Sequence, residues 1–292
     1  MKEQDLTLRN AISYKTVKTP KTHHSYSMIA QTAKDIYTRS PLGLLDYKLK
    51  DLIAIEYLTR ETYGQEIPVS EQLDVLLLEA LYPPYHYPIF TLEENLYDKL
   101  QKTKCDIKSV VIDKPFAKCG VILLPKTSKY SVFVFKINTY IEQPKKEILS
   151  VLFISDTIGA RGVMTLHLDH ELKAIVNKKY EEIQVDDELC SIEQLLSNIF
   201  LYKQSVQDDE EVVYHEPRVV KQGFGKNTKE HIVPIEICNK LKTKTLDNGV
   251  EKGTHASPRT HWRCGHWRQH PIGSRKEPSY KTIWIEPVLV NL

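Results

Sequence analysis

The chain has 292 residues, 41% of them apolar and 27% charged, with a formal net charge of +2. That balance belongs to an ordinary globular protein with one large core or two modest ones. It excludes a polycation that coats nucleic acid over its whole surface. Five cysteines (Cys105, Cys119, Cys190, Cys238 and Cys264) are odd in number and form no Cys-x-x-Cys pair, which fits free thiols in a reducing cytosol; no segment reads as a signal peptide or a bilayer span.

Residues 1–25 are polar and basic, with Pro20 and His23-His24, and read as an arm or frayed start. Helical spacing occupies the region 26–117. Ile29, Ala33 and Ile36 form one stripe, and Leu49, Leu52, Ile53 and Tyr57 form a second. Ser70 reads as the N-cap of a helix carrying Leu73, Leu76, Leu77 and Ala80, which stops at the Tyr-Pro-Pro-Tyr-His-Tyr-Pro run 82–88. A short helix is expected near Leu92 to Leu100.

From 118 to 239 the pattern changes. Gly120 to Leu124, Ser131 to Ile137, Ile148 to Ile154 and Val163 to Leu168 are short β-rich runs separated by turn residues, which predicts an antiparallel meander. A helix over Ser191 to Tyr202 and a strand over Ile232 to Ile237 follow. Residues 240–257 are polar and serve as a linker. Residues 258–292 form a basic module whose terminal strand, Thr282 to Val290, contains Pro287 and is expected at an edge. The fold class is therefore α+β: a helical N-terminal part, a central antiparallel sheet with a packed helix, and a basic C-terminal module ending in a strand.

That last module carries the most unusual stretch. His261-Trp262-Arg263 recurs as His266-Trp267-Arg268, with Cys264 and Gly265 between the copies. A five-residue offset matches neither the strand period of 2 nor the helix period of 3.6, so the copies need a turn to act together, and Gly265 is expected to supply it. Between Lys252 and Lys281 seven Lys/Arg stand against one acid, whereas Glu181 to Glu216 holds eleven acids against Lys203. Such opposed runs give either an internal clamp or a basic site open to an outside anion.

Arg259, Arg263, Arg268, Arg275 and Lys276 suit phosphate contact, with Trp262 and Trp267 as stacking platforms and His261 and His266 beside them. The alternative is an interaction module whose tryptophans simply close the core. His255, His261, Cys264, His266 and His270 fall within sixteen residues and could hold zinc. Trp and Arg interleave where zinc knuckles are small, so a loop of stacked and hydrogen-bonded His rings is preferred, and no metal or cofactor is expected.

A metal-dependent ribonuclease is the enzymatic alternative: Asp156 followed by Glu171 and Lys173 fits an Asp…Glu-x-Lys pattern in which carboxylates hold Mg²⁺ and Lys steadies the phosphate. Asp169-His170-Glu171 reads first as a helix N-cap. Gly223-Phe224-Gly225-Lys226 falls short of a phosphate loop, and Gly-x-Ser-x-Gly is absent. Cys119 reads as a buried small hydrophobe rather than a nucleophile. Tyr82, Tyr85 and Tyr87 read first as part of a rigid helix stop, and second as an aromatic groove for an extended peptide.

The C-terminal residues also resemble a known family. Pro258-Arg259, His261, Arg263, Gly265-His266-Trp267, Lys281 to Trp284 and Pro287 to Asn291 are similar, in the same order, to the end of the type V-A anti-CRISPR family and its phage- and plasmid-borne relatives. This match covers roughly the last 35 residues, and Leu196 to Tyr202 resembles a helix of the same family. Cys264 departs from the pattern, which has a basic residue there. The resemblance implies a non-enzymatic, mobile-element protein acting in the cytoplasm of a bacterial host. It would recognise a nascent polypeptide, the N-terminus of a type V-A CRISPR effector nuclease, and lower its mRNA in a translation-dependent way. The N-terminal body would then read the peptide, and the C-terminal module would contact RNA, the ribosome or a host nuclease.

Overall fold

The computed structural model describes residues 7, 10, 17–38, 46, 48–54, 69–82, 87–104, 116–139, 147–155, 161–168, 187–206, 218–222, 229–238, 261–274 and 277–290. Helices and mixed sheets share the chain, so the protein is α+β as its patterning implied. It divides into two compact units that interleave in sequence. The first takes Met1–Glu94, Ala117–Leu168 and Val213–Ile237, and the second takes Asn95–Phe116, Asp169–Val212 and Cys238–Leu292. Among the described residues no helix is long and apolar enough to cross a membrane.

The first unit opens with α1 (Ser27–Thr38), a helical segment at 49–54, and α2 (Val69–Leu81). Strand β1 (Ile89–Leu92) follows, then, within this unit, β3 (Cys119–Leu123), β4 (Val132–Thr139), β5 (Glu147–Ile154) and β6 (Arg161–Leu168). The antiparallel meander expected from the β-rich runs is present as β3 to β6, with Phe133 opposite Ile122 and Phe153 opposite Phe133. Two further strands extend it in parallel, β1 against β3 and β9 (Ile235–Ile237) against β1, so the sheet is mixed and runs in the order β6-β5-β4-β3-β1-β9.

Both faces of its central strands are buried. Val121, Leu123, Val132, Val134, Leu152 and Ile154 join one core with Ile29, Ala33, Leu49, Leu52, Leu76, Leu77 and Ala80 from the helices. Ile122, Phe133, Phe135 and Phe153 are buried as well. Strands covered on two sides lose the alternation of a half-solvated sheet, hence the continuous apolar runs in the sequence. Gly120 belongs to this packing: a Cβ there would sit 2.8 Å from the Phe90 ring and 2.9 Å from the Phe135 ring.

Several local expectations are corrected. Residues 17–25, read as part of an arm, are tied down: Lys18 donates to the Ile232 carbonyl, His24 N–H to Leu124, and the buried His23 ring lies 2.8 Å from the Leu92 carbonyl. Leu92, placed at the start of a helix, ends the parallel strand β1 (Ile89–Leu92); the β-branched and aromatic residues before it prefer the sheet, and the helix begins only at Glu94. The single strand expected over 232–237 is split at Pro234 into β8 (Lys229–Val233), paired with β7 (Arg218–Gln222), and β9 in the large sheet. The helix over Ser191 to Tyr202 is present and longer than expected, as α4 (Asp187–Val206), and belongs to the second unit.

One polar cluster interrupts the apolar core of the first unit. Glu79 is fully buried, accepts the Tyr87 hydroxyl at 2.6 Å, and pairs with Lys136 Nζ at 2.9 Å. Tyr87 therefore leaves the set of peptide-binding candidates, since its ring is buried and its hydroxyl serves Glu79. Tyr82 is half-buried against the core, and Tyr85 lies outside the described residues. Replacing Lys136 by Met should destabilise the protein by about 3 kcal/mol, because Glu79 loses its cation in a dry site. The double variant Glu79→Leu with Lys136→Met should recover most of that loss in urea unfolding. A single variant no less stable than wild type would mean that Glu79 is not held as a charge.

Candidate functional site

The second unit is assembled from short pieces of distant sequence. Helix α3 (Glu94–Gln101) buries Leu96, Tyr97 and Leu100, and carries Glu94 in its first turn and Lys99 in its last, as the helix dipole favours. It leads directly into β2 (Thr103–Lys104). Helix α4 buries Ile192, Leu195, Leu196, Ile199, Phe200 and Tyr202, and with them Asn198. Phe116 packs on Phe200 at 4.9 Å between ring centroids.

The basic module forms β10 (His261–Arg263), β11 (Gly265–Ser274), β12 (Glu277–Ile285) and β13 (Val288–Val290). β11 and β12 pair antiparallel along their length, β10 pairs with β13, and β2 adds in parallel to the start of β11. Arg263 lies opposite Val288 and His266 opposite Ile285, so the register passes through the interruption without a slip. The terminal strand expected over 282–290 is thus two strands, parted at Glu286-Pro287, where the missing proline N–H breaks the ladder.

Gly265 does not make the turn expected of it; it lies within the ribbon as the first residue of β11. The reason for glycine is close approach, since a Cβ there would meet Thr103 Oγ1 at 2.5 Å and Pro287 Cδ at 2.8 Å. The two His-Trp-Arg copies follow one another along the ribbon instead of folding back together. Gly273 has a left-handed backbone, at φ 87°, just before the hairpin connection.

Asn198 holds the ribbon root. Its Nδ2 donates to the carbonyls of Leu100 and Thr103, each at 2.8 Å, and its Oδ1 accepts the Trp267 indole N–H at 2.8 Å. The Trp284 N–H donates to Thr103 Oγ1 at 3.1 Å, while that hydroxyl donates to the Lys99 carbonyl. The two indoles stack with centroids 6.1 Å apart, and Tyr202 meets Trp284 edge-on at 5.4 Å. Lys99 and Glu286 close the root with an ion pair at 2.7 Å.

This geometry sorts the residues singled out in the sequence. Trp267 is half-buried, with its N–H and one ring face engaged inside the unit, so it serves as an anchor. His266 is half-buried beside it, at the position paired with Lys104. Arg263, Cys264, Arg268 and His270 are exposed. The side chains of His261 and Trp262 lie outside the described residues, as do Arg259, Arg275, Asp156, Glu171 and Lys173.

Among the described residues no group of three or more His, Cys, Asp or Glu could hold a metal ion. Cys119, Cys238 and Cys264 are free thiols. Burial, reinforced by Glu79 and opposed by Lys136, pushes the Cys119 thiol up to about 11, so it stays protonated at neutral pH and makes a poor nucleophile. Sequence reasoning missed Asn198, Thr103 and the role of Trp284. The available signal was a lone Asn inside the apolar run Leu195 to Tyr202, because a carboxamide in such a run needs buried partners.

Asn198→Leu should cost about 3 kcal/mol or more, since it strands the Trp267 N–H and two carbonyls in a dry site. Trp267→Phe, which loses the N–H and some ring area, should cost about 1–2 kcal/mol. Both are read as urea midpoints together with near-UV dichroism of the stacked indoles. Equal stability of Asn198→Leu and wild type would remove the amide from this structural role.

Comparison with known proteins follows the same stretch of chain. A family model, AcrVA2-like, described as the anti-CRISPR type V subtype A2 family, matches residues 90–292. The crystal structure of AcrVA2 is similar at 14% identity, covering 93% of this chain and 100% of that one, with a TM-score of 0.41. No curated protein matches. The resemblance first visible in the last 35 or so residues thus reaches back through α4, α3 and most of the sheet, and the chain belongs to the anti-CRISPR type V subtype A2 family.

Proposed function

We propose that this anti-CRISPR protein acts while its target is being translated. It recognises a nascent polypeptide, the N-terminus of a type V-A CRISPR effector nuclease, and lowers the message encoding it. The N-terminal body reads the peptide, and the C-terminal module contacts RNA, the ribosome or a host factor. The reading needs no catalytic residue in the chain itself.

The observation that supports this division is the pairing of anchor and contact within one motif. Trp267 is bonded to Asn198 at 2.8 Å, while the next residue, Arg268, is exposed, as is Arg263. Guanidinium groups on a rigid ribbon lose little freedom when they meet phosphate or carboxylate, which favours a contact surface over a mobile tail. The engaged indole of Trp267 also removes one of the two stacking platforms from the reading, so the cations carry it.

Ribosome co-sedimentation tests this reading. Wild type should associate at low salt and release as salt rises, because phosphate contacts exchange for counterions. The Arg263→Ala/Arg268→Ala variant should stay folded and lose the association. Equal sedimentation of the two proteins, or of neither, would take the module out of the mechanism.

A further inference from the structure

We infer that the outer edge of strand β6 is a docking site at which an extended polypeptide adds as a further strand of the large sheet. The inference rests on the proposed function for the source of that polypeptide and deepens it by naming the surface that does the reading.

The backbone makes the site. β6 (Arg161–Leu168) pairs with β5 over all 8 of its residues, and the register from Arg161 opposite Ile154 to Leu168 opposite Glu147 has no slip or bulge. It ends the sheet order β6-β5-β4-β3-β1-β9, and among the described residues no strand lies on its other side. In an antiparallel ladder every second residue turns its N–H and C=O away from the neighbour. The outer edge of β6 is therefore a row of donors and acceptors about 27 Å long. The core reaches almost to that edge: Val151, Leu152, Phe153 and Ile154 of β5 are each 5% exposed or less. An added strand thus makes its main-chain bonds beside a dry sheet, where such bonds are stronger.

Among the described residues the other sheet edges are short or guarded, and this one is long and bare. In the β11–β12 ribbon, Pro271 lies opposite Tyr280 and Pro278 opposite Gly273. A proline cannot donate to its partner, so both are non-hydrogen-bonded pairs, and each ring nitrogen turns to the outer edge of its own strand. At the far side of the large sheet β9 has only 3 residues and follows Pro234. β10 and β13 have 3 residues each, while β7 and β8 carry Lys221 and Lys229. The sequence of β6 contains no proline, lysine or acid, and its one arginine is its first residue. Sheets blunt their edges with such residues because a bare edge pairs with any extended chain. A chain that guards its other edges and leaves this one open has a strand's place in its largest sheet.

An unfolded polypeptide is the occupant that fits. Main-chain pairing captures a segment before it has folded, which is the state of a nascent one. β6 also belongs to the first unit, within the N-terminal body to which the proposed function gives the reading of the peptide. The segment it takes is free of proline, rich in β-branched and aromatic residues, and about eight residues long to match β6.

Fluorescence anisotropy with the full-length protein and overlapping labelled peptides from the N-terminus of a type V-A effector nuclease tests the edge. Backbone N-methylation of the binding peptide, one residue at a time, should weaken binding about threefold to tenfold at every second residue and leave the residues between unaffected. Recognition through side chains alone does not follow that period. A proline scan through Val163, Met164, Thr165 and Leu166 should alternate as well. Positions whose N–H bonds to β5 lose stability in urea unfolding, whereas positions whose N–H faces outward keep the fold and lose peptide affinity. A lysine-flanked Thr-Val repeat peptide, which shares only strand propensity, should bind more weakly with the same alternation.

Binding of a nuclease peptide without the two-residue period, or undiminished in the folded proline variants, overturns the edge and leaves the translation-coupled reading standing. Binding of the Thr-Val repeat with that period, and of no nuclease peptide, sinks the reading and supports the edge. Binding of neither probe overturns the edge, while the ribosome assay still judges the reading on its own. A wild-type dimer in sedimentation that the folded proline variants abolish overturns the peptide in favour of a second copy of the chain.

Discussion

A single buried carboxamide organises the second unit. Asn198 has no exposed surface, and a polar group taken out of water that far is tolerated only when its hydrogen bonds are made. Its partners come from three regions: the end of α3, the β2 strand and the indole of Trp267. Helix ends leave carbonyls without intrahelical partners, and here the side chain of a second helix satisfies the Leu100 carbonyl while Thr103 satisfies that of Lys99. The cost of burying the amide is thereby turned into positional information. Apolar packing alone would let the ribbon slide on α4, whereas three directed bonds of 2.8 Å specify one seat.

Everything distal to that seat inherits its precision. Gly265 lets Thr103 and Pro287 come close enough for β2 to pair with the ribbon, and Pro287 breaks the outer ladder where Glu286 turns to meet Lys99. The register is the same on both sides of the break, so β10 to β13 behave as one two-stranded ribbon with a pinch at its root. A two-stranded ribbon in water is marginal alone, and this one borrows its stability from two stacked indoles and a helix. Glu79 plays a comparable part in the first unit, where an ion pair and a phenol fix α2 against β4 inside an apolar core.

The legible parts of the fold are those decided by local pattern. The four runs of the meander were readable because β-branched and aromatic residues cluster between turn residues, and α4 because its apolar spacing persists from Ser191 to Tyr202. The parallel additions of β1 and β9 were hidden, since two short runs of four and three residues show their strand character only through pairings distant in sequence, β1 with β3 and β9 with β1. Pro234 and Pro287 each announced an interruption, yet whether a proline ends a sheet or passes the chain to another depends on pairings far away in sequence. Gly265 was recognised as special for the wrong physical reason: conformational freedom was expected where the requirement was absence of a side chain. Of the candidate site, the exposure of Arg263 and Arg268 is visible only once the ribbon is placed, whereas the burial of Trp267 against Asn198 needed the pairing of distant segments.

The repeated His-Trp-Arg triplet misleads when its residues are assigned one common job. On a strand, neighbours point to opposite faces, so a contiguous Trp-Arg pair is divided by geometry into one group that can be buried and one that cannot. The second copy follows that division: Trp267 goes to Asn198, and Arg268 goes to solvent with His270 two residues further on. Anchor and contact are therefore coupled through a single peptide unit. Any displacement of the indole carries the guanidinium with it, which makes the amide of Asn198 a determinant of where Arg268 stands, although no atom of Asn198 is exposed. A substitution there would move the guanidinium while leaving every charge in place, and only a variant that removes charge with the indole bond intact separates position from charge.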